Sequence, residues 1–344
     1  MRLKYNLILL ALIAGVIFLP AQRATAQQGD TLTVEWYDAA AQDVIRDALV
    51  NAIANDATRP AGRVYKLKRG GYYWNRETIQ NTGYHLRIVG EAAGSRPEDN
   101  PPVLQMVRRD DGSINQRMIT GVSDLTLKNV WITGADDAGV QTAYQPIQVD
   151  AQNSHIVVDN CIIDRSNFAL IAFTAKNNDI FYTNNKFRNL IGRPSTQQWE
   201  GRGISIWADQ DTVVVENNTF FNLEFTVFQM EGGAIRYLRF NHNTMVNIGR
   251  NFLTGAWWRE AYFTNNLIVN GFWHGEGPSD YNSAGRDPRA YHGGMMGIGP
   301  LPAQYGPEQG RRILLANTAA WRDSAFATFY GTDVRAQPFV GTVT

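Results

Sequence analysis

Hydrophobic and polar positions repeat in short segments through the middle of the chain. Each segment has a mostly apolar first triplet, an Asn or His at its fifth place and an apolar residue at its eighth, and successive segments start 23 to 33 residues apart. The segments are 125–132, 156–163, 180–187, 213–220, 238–245 and 261–268. The first and third residues of each triplet share one side of a β-strand, whose period is two. A constant motif at variable spacing predicts a repeat protein whose loops differ in length while its strands stay the same.

Asparagines follow the apolar triplets. The fifth place holds Asn129, Asn160, Asn184, Asn217, His242 and Asn265. The sixth place adds Asn185, Asn218, Asn243 and Asn266. Asn tolerates left-handed backbone and bonds locally, which suits a tight bend between two strands. If successive repeats stack about 4.8 Å apart, these side chains align and bond to one another along the stack. The sequence therefore predicts an asparagine ladder.

Two further strands are predicted in each repeat. One precedes the Asn segment, at 146–150, 170–174, 203–207, 227–231 and 252–256, and one follows the bend, as at 131–133. Three short strands per coil predict an all-β solenoid of parallel sheets. The pattern resembles the pectate lyase-like superfamily of right-handed parallel β-helices over roughly residues 64–269, and the right-handed winding is implied by that resemblance.

The chain divides into four predicted parts. Residues 1–26 have a basic start, a short apolar run and a small-residue end, which is typical of a secretory signal peptide cleaved after Ala26. Residues 27–62 form an N-terminal cap, whose amphipathic helix is expected over 41–53 after Asp38 and covers the first coil. Residues 63–270 form the coils. Residues 271–344 contain a long insertion and a C-terminal coil or cap, with the repeat returning at 313–317.

Composition narrows the class of partner. The chain has 32 basic and 32 acidic residues, and three of the basic ones lie in the predicted signal peptide. The remainder is slightly acidic, which argues against nucleic acid as a partner. The only cysteine is Cys161, so the chain forms no internal disulfide. We expect a bacterial protein that is secreted or at the cell surface, monomeric and without a membrane span.

The resemblance places the substrate groove on the sheet made by the strands before each Asn segment. Carboxylates, cations and indoles gather there, and such groups bond sugar hydroxyls, bind uronates and stack on sugar rings. The partner expected from this is an extracellular polysaccharide. The predicted substrate-binding residues are Asp150, Trp199, Trp207, Gln229, Glu231, Trp257 and Trp258.

A polysaccharide lyase that cleaves an acidic, uronate-containing glycan by β-elimination is the function that the resemblance favours. Such an enzyme needs a base and a positive charge beside the uronate. The catalytic candidates are Arg250, Lys176 and Arg202. Residues 247–250 (NIGR) resemble the arginine-bearing turn of pectate lyases, although Asn251 and Phe252 replace the Pro and second Arg that follow it in that family. Calcium is a possible cofactor, with Asp209 and Glu231 as ligands.

Two alternatives stay open. One is a non-catalytic glycan-binding or adhesin-like surface protein with the same fold. The other is a polygalacturonase-like glycoside hydrolase, which needs paired carboxylates. Asp136 and Asp137 form a pair and 292–294 reads His-Gly-Gly, but neither lies on a predicted groove strand.

Overall fold

The computed structural model describes residues 27–28, 30–34, 36, 45–93, 100–190, 201–249, 253–254, 257–271, 300–321 and 323–325. The predicted signal peptide lies outside these residues. The described part is a parallel β-helix with sheets of eleven, nine and seven strands, in which seven coils contribute one strand to each of the three sheets. The fold class predicted from the sequence is therefore confirmed.

The three sheets are numbered here by size. Sheet 1 comprises β1 (Gln27–Gln28), β2 (Thr31–Thr33), β3 (Val64–Leu67), β6 (Leu86–Gly90), β9 (Leu125–Lys128), β12 (His155–Asp159), β15 (Asp179–Thr183), β18 (Gln210–Glu216), β21 (Ile235–Asn241), β24 (Trp258–Thr264) and β26 (Arg312–Ala316). Sheet 2 comprises β4 (Tyr72–Asn75), β7 (Val103–Met106), β10 (Trp131–Thr133), β13 (Ile162–Asp164), β16 (Lys186–Leu190), β19 (Thr219–Leu223), β22 (Thr244–Ile248), β25 (Leu267–Gly271) and β27 (Ala319–Trp321). Sheet 3 comprises β5 (Ile79–Asn81), β8 (Ile119–Gly121), β11 (Ile147–Val149), β14 (Ala169–Phe173), β17 (Arg202–Ile206), β20 (Phe228–Met230) and β23 (Leu253–Thr254).

Strand pairing keeps the predicted register. Within the described sheets, neighbouring strands are parallel except for β1 and β2, which pair antiparallel. In sheet 1, Ile156 pairs with Leu125 on one side and Ile180 on the other, so the apolar triplets lie directly over one another. Their first and third residues fill the core, where Ile180, Val213 and Leu238 are fully buried. Because each coil repeats the same inward positions, the core is continuous along the stack.

The two Asn columns have different roles. The fifth-place residues adopt left-handed backbone, with φ of 52° to 61° from Asn129 to Asn265. The sixth-place residues form the buried ladder, in which Asn185 N–H donates to Asn218 Oδ1 (2.9 Å) and Asn218 N–H donates to Asn243 Oδ1 (3.0 Å). Each ladder amide also donates across to a carbonyl, as Asn218 Nδ2 does to Tyr182 (2.9 Å). His242 has φ of 53° and so fits the bend as a structural residue.

A second Asn ladder was not predicted. Asn189, Asn222, Asn247 and Asn270 end the sheet 2 segments, all with φ of 53° to 55°. Their amides bond from coil to coil, as Asn247 Nδ2 does to Asn222 Oδ1 (2.9 Å). This ladder fixes the corner through which the chain leaves sheet 2 towards sheet 3.

The N-terminal helix is shorter than predicted. Helix α1 covers Ala48–Ala54 and buries Leu49 and Ile53 against the first coil. Asp47, just before it, has left-handed backbone (φ 61°) and its carboxylate bonds Arg76, while Arg46 forms a β-bridge with Trp74. Residues 45–47 are therefore not helical and the described helix begins at Ala48, whereas the expected helical residues 41–44 lie outside the described residues. Asp38, its predicted N-cap, lies outside the described residues.

The repeat returns near the C-terminus, where β26 and β27 stack on β24 and β25. A one-turn 3₁₀ helix, Ala303–Tyr305, precedes them. In the part of the chain that the structure describes, no helix has the length and apolar character that crossing a membrane requires.

Candidate functional site

The outer face of sheet 3 has two columns of side chains. Register places Gln148, Ala172, Ser205 and Gln229 in one line, which we call the floor column. The residue after each strand forms a second line, which we call the rim column: Asp150, Thr174, Trp207 and Glu231. Backbone bonds confirm that these four positions are equivalent, since Thr174 N–H donates to Val149 O and Glu231 N–H to Ile206 O. A coil spacing of about 4.8 Å separates neighbours in each column.

A hydrogen-bond chain joins floor and rim at one end of the face. Gln145 Nε2 donates to Gln148 Oε1 (2.6 Å), and Gln148 Nε2 donates to both oxygens of Asp150 (2.7 and 2.8 Å). The Thr174 hydroxyl also donates to Asp150. A carboxylate only accepts hydrogen bonds, so it fixes the amide orientation of Gln148 and, through it, that of Gln145. Asp150 thereby accepts three hydrogen bonds from two side chains, Gln148 and Thr174.

An aromatic column borders the entry to sheet 3. Tyr144 and Phe168 stack with their centroids 4.6 Å apart and an interplanar angle of 12°. Gly201 takes the next place and Phe225 the one after, as the backbone bonds Gly201 N–H to Phe168 O and Phe225 N–H to Gly201 O indicate. Gly201 has φ of 94°, and a Cβ there would lie 2.8 Å from Glu224 Cβ, so this place requires glycine and the aromatic column has a gap between the two phenyl rings.

Arg202 fills that gap. Its guanidinium carbon lies 4.3 Å from the centre of the Phe168 ring and 5.6 Å from that of Phe225, close enough for cation–π attraction. The guanidinium is ion-paired with Glu231, and the two side chains are 6% and 20% exposed. The positive charge is therefore largely desolvated and already neutralised by a rim carboxylate.

Trp207 is the accessible aromatic group of the rim. Its side chain is 47% exposed, and its ring lies 6.2 Å from that of Phe168. The contact holds one edge of the indole while leaving a large apolar surface open to solvent. Such an indole face is the feature on which a sugar ring stacks.

Several polar atoms on this face lack partners. Gln145 Oε1, Ser205 Oγ and Gln229 Oε1 are buried, and none bonds to any part of the chain that the structure describes. Gln145 is 5% exposed and Ser205 is fully buried. A buried polar atom without a partner costs about 1–3 kcal/mol, so each of these atoms favours a hydrogen bond from water or from a ligand hydroxyl.

Two further predicted site residues, Lys176 and Asp209, lie in turns beside the sheet 3 face. Lys176 is exposed in the turn after β14, and only its backbone carbonyl bonds, to Asn153 N–H. Asp209 is exposed and its Oδ1 caps the next turn by accepting Ala234 N–H (2.7 Å). Among the described residues, no group of three or more His, Cys, Asp or Glu side chains could hold a metal ion. The calcium expectation stays a prediction.

The two tryptophans predicted as a sugar platform require a correction. Trp258 is fully buried and packs on Phe263 in the core (4.8 Å between centroids), and its register partner Ile235 is fully buried as well. Trp257 is half-buried against the core and faces Tyr305 at 5.6 Å. Neither presents an open indole face. Trp199 and Arg250 lie outside the described residues.

The loop carboxylate Asp136 is structural. It is fully buried, accepts the backbone N–H groups of Ala138 (3.1 Å) and Val140 (2.9 Å), and is ion-paired with Arg108 (3.0 Å). These bonds shape the loop between β10 and β11. Asp136 therefore does not supply the reactive carboxylate that a hydrolase needs. His292, the other hydrolase signal, lies outside the described residues.

A separate cavity of about 360 Å³ lies beside α1 and β5, at the N-terminal end. Val50, Ile53 and Ile79 form much of its wall. Its cation, Arg59, bonds Tyr65 OH (2.8 Å) and lies 3.8 Å from the ring centre of Tyr84. The cavity therefore belongs to the cap, whose polar groups are already paired.

Tyr144, Gln145 and Phe168 were missed by the sequence interpretation. A signal was present, since Tyr144 and Phe168 each stand just before a sheet 3 strand and occupy equivalent places in successive coils. Comparison of the sequence with protein-family models and with curated proteins finds no match. The assignment of this face therefore depends on its geometry.

Proposed function

We propose that the protein is a secreted carbohydrate-active protein that binds an extracellular polysaccharide along the outer face of sheet 3. The observation that carries the proposal is the rim column, in which a half-exposed indole at Trp207 stands between hydrogen-bonding groups at Thr174 and Glu231. Neighbouring rim positions are about 4.8 Å apart, which is comparable to the length of one sugar unit in a chain. A polymer that follows the stack would meet one rim residue per unit.

The direct test is binding of immobilised polysaccharides and soluble oligosaccharides by the chain without residues 1–26. Replacing Trp207→Ala removes the stacking surface, so we expect a loss of affinity on the order of tenfold, or about 1.4 kcal/mol. The matched control is Trp321→Ala, since Trp321 is 55% exposed but lies on the last strand of sheet 2. Equal losses in both variants, or no binding by the unmodified protein, would rule out this face as the site.

β-Elimination on a uronate polymer is the second candidate, and Lys176 favours it. This amine is exposed two residues beyond the rim at Thr174, and no ion pair involves it within the described residues. A base there would take the proton from the carbon next to the carboxyl group. The electron pair forms a C=C bond as the glycosidic C–O bond breaks, and the leaving oxygen is protonated. Released chains then carry unsaturated ends.

Cleavage is measured by ultraviolet absorbance of those unsaturated ends on a panel of uronate polymers, with and without chelator. Lys176→Met should abolish the signal if Lys176 is the base, whereas Lys186→Met, an exposed lysine of sheet 2, should not. Constant absorbance on every polymer together with retained binding would identify a non-catalytic, adhesin-like protein. Asp150 and Glu231 do not form the carboxylate pair of a glycoside hydrolase, because these rim residues are three coils, or about 14 Å, apart along the stack. Hydrolases keep theirs within about 10 Å.

A further inference from the structure

We infer that the sheet 3 face selects a neutral, hydroxyl-rich glycan and rejects a uronate, and that the Arg202–Glu231 ion pair sets this selectivity. The inference rests on the proposed glycan-binding function and assigns the substrate class of the same face. It replaces the acidic glycan expected from the family resemblance. Three properties of the described residues support it: the charge balance, the state of Arg202 and the chemistry of the unpartnered atoms.

The charge balance disfavours an anionic ligand. The face and its adjoining turns carry three carboxylates, Asp150, Asp209 and Glu231, against two cations, Lys176 and Arg202. Asp150 has no cation within ion-pair distance in the described part of the chain, so its negative charge faces the ligand with amide and hydroxyl partners only. A uronate carboxylate placed along the rim would meet a net negative charge.

Arg202 is not available to a uronate. A guanidinium is the side chain best suited to hold a carboxylate through two parallel hydrogen bonds. Here it is 6% exposed, lies between Phe168 and Phe225 and is ion-paired with Glu231. A uronate would have to displace the carboxylate of Glu231 and leave that charge without its partner, which is costly at a partly desolvated site. The pair therefore opposes an acidic substrate while leaving the face open to uncharged groups.

Two of the three unpartnered atoms are amide oxygens, which need a hydrogen-bond donor, and the third is a hydroxyl that can donate or accept. The bonds of Asp150 fix the amide of Gln148 and hence that of Gln145, so Gln145 Oε1 is a true acceptor. Gln229 adds a second amide oxygen, and Ser205 adds a hydroxyl, both without a bond to any described residue. A uronate carboxylate only accepts hydrogen bonds, whereas each sugar hydroxyl can donate one. The missing partners thus match hydroxyl groups.

The test compares two sets of soluble oligosaccharides of matched length by calorimetry. Neutral probes are oligomers of glucose, xylose, mannose and galactose, and acidic probes are oligogalacturonate and oligomannuronate. We expect at least one neutral probe to bind about tenfold more tightly than either acidic probe. Tighter binding of an acidic probe would overturn the inference alone, whereas binding of neither set would overturn the proposed function.

Glu231→Gln tests the role of the ion pair. The substitution removes a negative charge from the face and abolishes the ion pair of Glu231 with Arg202, so acidic probes should gain about tenfold in affinity. Neutral probes should lose about two- to tenfold, as expected for one altered hydrogen bond. Glu216→Gln is the matched control, because Glu216 has the same 20% exposure and pairs with Arg239 on sheet 1. An unchanged ratio of acidic to neutral affinity in Glu231→Gln, or the same shift in Glu216→Gln, would overturn the assignment of selectivity to this pair.

Discussion

Two adjacent asparagines allow a sharp test of how the coils are held together. Asn217 and Asn218 both lie at the bend between sheets 1 and 2, but Asn217 is exposed with φ of 58° and Asn218 is 1% exposed in the buried ladder. The same substitution to glycine should therefore destabilise the protein by very different amounts at the two positions. Glycine adopts left-handed backbone freely, so Asn217→Gly should cost less than about 1 kcal/mol, mainly in unfolded-chain entropy.

The expected cost of Asn218→Gly follows from the bonds that are lost. Asn218 Oδ1 accepts both Asn185 N–H (2.9 Å) and Asn185 Nδ2 (3.0 Å), and its own Nδ2 donates to Tyr182 O (2.9 Å). Removing the side chain leaves at least one buried N–H and one buried carbonyl without partners. At about 1–3 kcal/mol each, we expect a loss near 4 kcal/mol in the free energy of unfolding.

Urea denaturation followed by tryptophan fluorescence and far-ultraviolet circular dichroism measures both variants. The two signals must give coincident transitions, because solenoids can unfold in parts. Equal losses for Asn217→Gly and Asn218→Gly, or a stable Asn218→Gly, would refute the ladder as the source of coil-to-coil stability.

Three further predictions concern packing, pH and thiol reactivity. Gly90→Ala should destabilise the fold by more than about 2 kcal/mol, because the new Cβ would lie 2.1 Å from the Asn129 carbonyl oxygen. Gly112→Ala should cost only about 1 kcal/mol, because its Cβ meets open space and only the backbone φ of 79° is unfavourable. Thermal unfolding measures both variants. Burial disfavours charge on Asp159, but hydrogen bonds from Lys128, Asn184 and Thr183 outweigh this effect and lower the pKa of the carboxyl group. The charged carboxylate therefore stabilises the fold above the ordinary pKa of 3.8, and this contribution is lost as the pH falls below that value. The difference in urea midpoint between the unmodified protein and Asp159→Asn should therefore shrink below pH 3.8, and a constant difference would contradict this assignment. Burial raises the pKa of the Cys161 thiol to about 12, so maleimide should label it at neutral pH only after unfolding, and labelling of the native protein would contradict its core position.

The fold could be predicted from local sequence patterns because each coil of a β-helix repeats the same pattern of apolar strand residues and Asn bends. The period of two and the Asn bends identify sheet 1 and its inward residues, and five of the seven sheet 3 strands were placed to within about two residues of their observed bounds. The second ladder at Asn189, Asn222, Asn247 and Asn270 carried a similar signal, one Asn at the same place of four successive sheet 2 strands, that was overlooked. Helix α1 was overextended because the bonds of Asp47 to Arg76, 29 residues away, compete with helix formation.

The site was less predictable, because its bonds depend on side-chain reach across coils. Asp150, Trp207, Gln229 and Glu231 were predicted to face outward, and they do lie on one face. The pairing of Arg202 with Glu231 joins residues from different coils, and the Arg202 side chain lies between the rings of Phe168 and Phe225. The position of Trp258 was predicted wrongly because tryptophan occurs both in protein cores and on sugar-binding surfaces. Only the register of β24 shows that this indole lies in the core.

The central claim, that glycan binds the outer face of sheet 3, is tested most directly by hydrogen–deuterium exchange with and without a saturating oligosaccharide. Added protection should concentrate in the rim turns that follow β14, β17 and β20, where the backbone lies beside Thr174, Trp207 and Glu231. Protection confined to sheet 1, sheet 2 or the helical cap would contradict the claim.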